Sequence, residues 1–436
     1  MLSMYLFKRD LRLDDNKALF EALKNSSKII PIFVFNKTIL KEFNAYNQKV
    51  GFVVDVLKNI SKKINLYVFH GEDDEILEFL FSKYKPDALY TAQSFSWQGE
   101  ERDRNIEKVC RKCNVKFHAV FDNYLADFRK IPYTKVFTPF YKKWLGYVES
   151  QEYEINIEEL KRKVVALDLD TIDTILVKFP ELNQKNEVFT YDYGFERLRS
   201  YDFAKYQEQR DFPGLDMSSR LSPYIRFGVL SIRKIHNIAS KVSPEFVRQL
   251  AWREFWYHIK YNFSEFNKLE FLEKRRNVRW RYDEKLFEKF VNAQTGYPIV
   301  DAGIRQLKQE NWMHNRVRLI VANFLVKDLL IDWRIGEKFF REYLLDYDEV
   351  LNVGNWQWSA SVGPDPKPLR IFNPMIQSEK FDPNCEYIKK YIPELKNEEN
   401  YKIHNPLEYK LNYYEPIVNH YEAVQITKRL YKGMDV

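Results

Sequence analysis

IIPIFVF (29–35) is the stretch on which the fold class turns. Its unbroken run of apolar residues, rich in branched and aromatic side chains, reads as a strand buried on both faces. Outward from it the chain alternates. A short apolar run at 4–7 is followed by the charged LRLDDN and a helical stretch around 18–23. Beyond lie helical patterns at 50–60, 74–84 and 101–113, and strand patterns at 66–69, 88–91 and 115–120. Strands separated by helices of about three turns predict a doubly wound parallel sheet covered on both faces. No G-x-G-x-x-G and no Walker A run occurs in this half, so a phosphate-cradling loop is not supported.

From 126 to 192 the pattern is weak and charged, with VFTPFYKKWL (136–145) followed by an acidic stretch. This reads as an interdomain connection. Strand signals vanish after Tyr193, helical periodicity dominates to about Leu345, and the remainder is loop-rich with Pro-containing turns. The expected architecture is an α/β domain over 1–125, a connection over 126–192 and an all-α domain over 193–436.

A length of 436 residues suits two domains, and 45% apolar content is enough to give each a core. The 16% aromatic content, from 29 Tyr, 33 Phe and 9 Trp, exceeds what packing alone tends to need. A balance of 69 basic against 62 acidic residues, +7, permits a polyanionic partner without demanding one. The N-terminus turns charged too early for a secretory signal, and the apolar stretch at 319–326 is too short to span a bilayer. Three cysteines fit a reducing cytoplasm better than a disulfide framework. Cys110 and Cys113 form one C-x-x-C with no second pair, so they read as two small residues on a helix.

Four constellations stand out in the helical half. Ser243-Pro244 starts a helix through FVRQLAWREFWYHIKYNF, on which Gln249, Trp252, Arg253 and Trp256 share a face. That face reads as an amphipathic stripe or as a platform for an unpaired base. In WMHNRVRLIVANFLVKDLLIDW (312–333), Asn315, Arg318, Leu319 and Ala322 share a face, with Arg316 a quarter-turn off. Arg318 lies among apolar residues and needs a carboxylate, for which Asp346 and Asp348 are candidates. No histidine or further acid is spaced to complete a metal site with them. NVGNWQWSAS (352–361) reads as an extended turn on which Trp356 and Trp358 can point the same way, or as a plug for a helical bundle. SSRLSPYIRFGVLS (218–231) offers hydroxyls, backbone N–H groups and a cation at a helix start, a set suited to phosphate oxygens.

These pieces in this order, behind an α/β half, resemble the photolyase/cryptochrome family. The resemblance runs from FKRDLRLDDN (7–16) through TGYPIVDAGIRQL (295–307) and WMHNR (312–316) to RIFNP (370–374) and QSEKF (377–381). It is closest to the class I cyclobutane pyrimidine dimer photolyases. It implies an α/β antenna domain and a helical domain holding FAD, with Tyr206, Ser218, Ser219, Arg220, Leu221 and Ser222 at the pyrophosphate and neighbouring groups. Phe246 would line the flavin pocket, Arg318 would pair with Asp346, and Asp346 and Asp348 would contact the adenine, ribose or flavin edge. Asn352 falls beside flavin N5, where a neutral amide avoids the repulsion an aspartate would exert on a reduced flavin.

The implied activity is light-driven repair of UV-damaged DNA, in which excited reduced FAD lends an electron to a flipped-out pyrimidine dimer. Gln249, Trp252, Asn315 and Trp358 would form the dimer pocket, together with Trp256 and Leu319. Arg253 and Arg316 would lie at the DNA-facing mouth with Gln377 nearby. Trp280, Trp333 and Trp356 match the family's electron-hopping row.

Three residues depart from the family pattern: Gln249 replaces Glu, Leu319 replaces Met and Phe246 replaces Trp. A (6-4) photolyase would carry two histidines on the helix that here has His314 and Leu319, so cyclobutane dimers are the expected lesion. A cryptochrome-type blue-light receptor is the other alternative, disfavoured by the short stretch after Lys380. A second chromophore is implied in the α/β domain. Glu100-Glu101 and the lack of a histidine near Asn44 fit folate poorly, so a flavin (FAD or FMN) or deazaflavin is expected, lined by Arg9, Phe35, Lys49 and Phe52. The protein is expected to act as a monomer, in the cytoplasm, without a membrane.

Overall fold

The computed structural model describes residues 1–42, 48–365, 369–409 and 411–432. Five strands, β1 (Leu2–Phe7), β2 (Lys28–Asn36), β3 (Tyr67–Gly71), β4 (Ala88–Ala92) and β5 (Lys116–Val120), form one sheet. Its order is β3-β2-β1-β4-β5 with every neighbouring pair parallel, the doubly wound arrangement expected. Residues 29–36 of β2 are all buried. Pro31 is tolerated within β2 because pairing with β3 begins only at Ile32, so its missing N–H breaks no rung on that side. Alternate residues Met4 and Leu6 of β1 and Ile30, Ile32 and Val34 of β2 join Leu77, Leu80, Leu89 and Ile106 in one core cluster.

The chain forms two compact units. The first comprises Met1–Ile131, Lys143–Tyr201 and Ser219–Leu250; the second comprises Pro132–Lys142, Asp202–Ser218 and Ala251–Val436. The expected connection at 126–192 is therefore not a free linker. Its later part lies along the sheet: Val165 N–H donates to the Ile29 carbonyl at 3.0 Å, and Val68 N–H donates to the Asp170 carbonyl at 2.9 Å. Val165, Leu167 and Leu169 of this segment also pack against the sheet's core cluster, an alternation of only three apolar residues, so the sequence pattern there is weak.

In the first unit the motif at 7–16 is a buried clamp. Arg12 pairs with Asp122 at 3.0 Å, and Arg233 pairs with both Asp122 at 2.8 Å and Asp15 at 2.9 Å. All four side chains are at most 5% exposed, and each charge faces an opposite one. Loss of any one member would leave an uncompensated buried ion.

The second unit is helical. The helix Asn315–Asn323 runs into one π-helical turn, Phe324–Asp328. A further helix, His420–Lys432, lies in the stretch expected to be loop-rich. It docks on the π-turn: Thr427 Oγ1 donates to the Lys327 carbonyl at 2.6 Å, and His420 Nδ1 meets Asp328 Oδ1 at 2.5 Å. Tyr431 O–H and Lys327 Nζ both donate to the Ala360 carbonyl, at 2.6 and 2.7 Å. No helix among the described residues is long and apolar enough to cross a membrane.

Candidate functional site

His314 opens the helix Asn315–Asn323 as its N-cap. Nδ1 accepts from Arg316 N–H at 3.2 Å, and the His314 N–H donates to Gln306 Oε1 at 3.1 Å. Burial moves the imidazole from its ordinary 6.5 down to about 4, so it is neutral at physiological pH. One turn on, Arg318 donates from Nη2 to Asp346 Oδ2 at 2.8 Å and from Nε to the Met313 carbonyl at 2.7 Å. The arginine thus has the carboxylate expected of it.

Asp348 does a different job. Its Oδ1 accepts from Val350 and Leu351 N–H at 3.1 and 3.2 Å and so caps the helix Glu349–Ser359, while Oδ2 accepts from Tyr257 O–H at 2.7 Å. That helix overturns the extended-turn reading of 352–361. With an aspartate cap at 348, a helix forms, and residues two apart then point to different sides. Trp356 turns inward, 1% exposed, with its Nε1 lacking a hydrogen-bond partner among the described residues. Trp358 is half-buried, with the Arg370 guanidinium 4.7 Å from its ring.

Asn352, on the same helix, donates from Nδ2 to the Glu337 carbonyl and to Glu337 Oε1, both at 3.1 Å. Its nitrogen is thereby occupied, and the oxygen is what it has left for a ligand. The three tryptophans of the expected electron row differ in setting. The Trp356 ring packs on Gly336, where an added Cβ would fall 2.3 Å from it, one helical turn after Trp333. Trp333 is 1% exposed. Arg281 N–H donates to the Leu330 carbonyl at 2.7 Å, which brings the Trp280 segment beside residues leading into Trp333. Trp280 is half-buried.

On the helix Pro244–Asn262 the predicted face divides. Trp252 is half-buried and stacks on Phe137, with ring centroids 3.7 Å apart and planes 5° from parallel, so only its other face can take a base. Trp256 does not belong to a base platform. It is 2% exposed, and a Cβ on Gly354 would lie 2.4 Å from its ring; helix packing claims it. Arg253 lies 5.9 Å from the Tyr257 ring. Gln249 donates from Nε2 to Glu245 Oε1 at 2.9 Å.

Of the remaining expected DNA contacts, Asn315 is exposed, and Leu319 and Gln377 are half-buried. Arg316 already has partners: Nη2 donates to Asp211 Oδ1 at 2.8 Å, and its guanidinium lies 4.1 Å over Phe381. Neither Glu245 nor Asp211 was singled out from sequence, because an ordinary surface carboxylate carries no motif; for Glu245, the i, i+4 spacing to Gln249 was the available signal.

Tyr206 opens the short helix Tyr206–Gln209, with the Arg210 guanidinium 5.2 Å from its ring. Ser218 lies in the second compact unit, while Ser219, Arg220, Leu221, Ser222 and Phe246 lie in the first. Arg220 takes a left-handed φ of 53°, and no side chain caps the helix Ser222–Arg226 that follows. Leu221 and Phe246 are buried. Among the expected antenna linings, Arg9 is half-buried and Phe35 and Lys49 are buried. Phe52 is wholly buried, 5.4 Å from Tyr224 and 5.2 Å from Phe227, so it is core and lines no open cleft. Asn44 lies outside the described residues. Burial raises the Cys110 thiol to about 12, which leaves it unreactive at neutral pH. Among the described residues no group of His, Cys, Asp and Glu is arranged to hold a metal.

A five-stranded parallel α/β sheet with a helical remainder is the fold of the photolyase/cryptochrome class of flavoproteins. Residues 3–159 match the family model for DNA photolyase, and residues 246–433 match that for the FAD binding domain of DNA photolyase. The chain belongs to the DNA photolyase family: it is a lyase of DNA repair and binds FAD.

The deoxyribodipyrimidine photo-lyase of Alkalihalophilus pseudofirmus is 33% identical, over 98% of this chain and 97% of that one. That of Escherichia coli is 32% identical over 98% of each. An archaeal photolyase from Sulfolobus tokodaii, solved with two FAD molecules, superposes with a TM-score of 0.89 at 33% identity, covering 99% of this chain and 100% of that one. A Synechocystis cryptochrome, at 24% identity and a TM-score of 0.87 over 99% of each chain, shares the fold. The residues present fit FAD: Arg318 and Asp346 offer paired charge, Asn352 offers a carbonyl oxygen, and the Trp356 indole has an unused N–H.

Proposed function

We propose that this protein splits cyclobutane pyrimidine dimers in DNA and does not repair (6-4) photoproducts. The observation that carries this is His314. Repair of a (6-4) lesion moves a hydroxyl or amine between bases and needs a group that can deliver a proton. The imidazole is buried and neutral, with Nδ1 committed to a backbone N–H, and Leu319, on the helix it caps, has no proton to give. A ring that opens after gaining an electron has no such requirement. Illumination of the reduced protein with each purified lesion, followed by chromatography, tests the reading. Thymines recovered from the (6-4) lesion and none from the cyclobutane dimer would overturn it.

In this reading Tyr206, Ser218, Ser219, Arg220, Leu221, Ser222 and Phe246 hold the FAD together with Arg318, Asp346 and Asn352, while Asp348 acts by capping the helix that carries Asn352. The bound, reduced flavin supplies the electron on illumination. Gln249, Trp252, Asn315, Leu319 and Trp358 receive the dimer, with Arg253, Arg316 and Gln377 at the mouth. Trp358 and Trp252 each offer a half-buried ring, which suits unstacked bases. Trp356, Trp333 and Trp280 pass an electron inward when the flavin needs reducing.

A flavin is the proposed antenna, near Arg9, Phe35 and Lys49. Support comes from the second FAD of the Sulfolobus tokodaii photolyase and from the poor match to a folate pattern. Chromophores extracted from the purified protein and identified by mass would decide it; a folate would count against a flavin.

A further inference from the structure

Gln249 is the departure that most alters the chemistry of the proposed dimer pocket, because an amide can present either a donor or an acceptor. Glu245, one turn earlier on the Pro244–Asn262 helix, removes that choice. The nitrogen of Gln249 lies 2.9 Å from Glu245 Oε1 and 3.5 Å from the Glu245 carbonyl oxygen. A carboxylate and a carbonyl can only accept, so the NH₂ end must face them, and both of its hydrogens point towards Glu245. Arg248 Nε lies 4.0 Å from the other carboxylate oxygen and helps to hold it. Gln249 Oε1 is left with no hydrogen-bond partner among the described residues.

We infer that Glu245 is a positioning residue that fixes Gln249 with its carbonyl oxygen towards the lesion, and that this favours pyrimidines carrying an N3–H. The inference rests on the dimer-splitting reading above. Thymine and uracil have that hydrogen and can donate it to the oxygen. The N3 of cytosine is a bare acceptor and would set lone pair against lone pair. Gln249 held by Glu245 therefore acts as a fixed acceptor without a carboxylate's charge. A site built around one hydrogen bond discriminates against ligands lacking it, because its own polar group is then left unpaired.

The test compares binding and repair by the reduced, flavin-loaded protein on two oligonucleotides. One contains a thymine dimer, the other the same dimer methylated at both N3 atoms. The native protein should prefer the first. Glu245→Gln lets residue 245 present either end of an amide, frees Gln249 to turn, and should lower that preference about 3- to 10-fold, the range expected of one hydrogen bond. Adding Gln249→Glu to Glu245→Gln should restore the preference, since a carboxylate accepts whichever way it turns. A merely structural fault would weaken both oligonucleotides equally. Equal weakening, an unchanged preference in Glu245→Gln, or no recovery in the double variant would overturn the inference while leaving dimer repair standing. Repair of neither oligonucleotide by the native protein would remove the dimer-splitting reading, and the inference with it.

Discussion

Arg318 and Asp346 are joined by one 2.8 Å hydrogen bond between groups of unequal burial, the guanidinium 24% exposed and the carboxylate 5% exposed. The same guanidinium is braced by the Met313 carbonyl. Such a pair tolerates replacement of neither member, since the survivor keeps its desolvation cost without its partner. Asp346→Asn should lower retained FAD and destabilise the second unit by roughly 1–3 kcal/mol. The ratio of flavin to protein absorbance after gel filtration, with a thermal melt, measures both. Native flavin content in the variant would show that the pair does not anchor the cofactor.

Trp356→Phe should abolish photoreduction of the oxidised flavin, because the residue assigned as the nearest donor is no longer readily oxidised. Repair by chemically pre-reduced protein should survive. Flavin bleaching under steady blue light with an external thiol reports the first, and a repair assay reports the second. Normal photoreduction in the variant would mean that the row of Trp356, Trp333 and Trp280 is not the route.

Arg316 is a weaker phosphate ligand than its position suggests, since Asp211 holds its Nη2 at 2.8 Å. Arg316→Ala should flatten the salt dependence of DNA binding by less than the one phosphate contact expected from a fully available cation. Asp211→Asn should tighten binding to damaged and undamaged DNA alike. Trp358→Ala should instead erode discrimination for the lesion, by roughly 1–3 kcal/mol. Titrations at several salt concentrations separate these effects; a full one-phosphate change for Arg316→Ala would mean that Asp211 lets go on binding.

His314 should make stability fall on acidification. Its folded-state value, about 4, lies below the ordinary 6.5, so the unfolded chain takes up the proton first. The stability it contributes is complete above pH 6.5 and is lost as pH falls towards 4. His314→Asn keeps a capping side chain that does not titrate. Between pH 7.5 and pH 5 the native protein should lose about 2 kcal/mol more than the variant. Asp301 and Asp328, raised to about 6 by burial, act in the opposite sense but are common to both proteins and cancel in the comparison. Parallel melting curves at the two pH values would show that His314 is not the titrating group.

The parallel sheet was legible because a strand buried on both faces must be apolar without interruption, as residues 29–35 are. The Arg318 pair was legible because a charge among apolar residues demands an opposite charge. Two kinds of feature were not. Short segments laid along the sheet leave a faint mark: 164–170 beside β2 and β3 packs only Val165, Leu167 and Leu169 on the core. Residues whose exposure is decided by a distant glycine were also hidden: Trp256 and Trp356 look alike in sequence to Trp252 and Trp358, and only Gly354 and Gly336 across the packing make them core. The 352–361 stretch was misread because its cap, Asp348, lies outside the motif that drew attention to it.

The carbonyl of Ala360, just past the helix that carries Asn352, Trp356 and Trp358, is held by a tyrosine 71 residues further along the chain. Synthesis proceeds from the N-terminus, so that helix emerges from the ribosome well before Tyr431 can reach it. A nascent chain stalled in this interval holds that carbonyl through Lys327 and lacks the second hydrogen bond. The double hold on this carbonyl is therefore completed only after the helix His420–Lys432 has been translated.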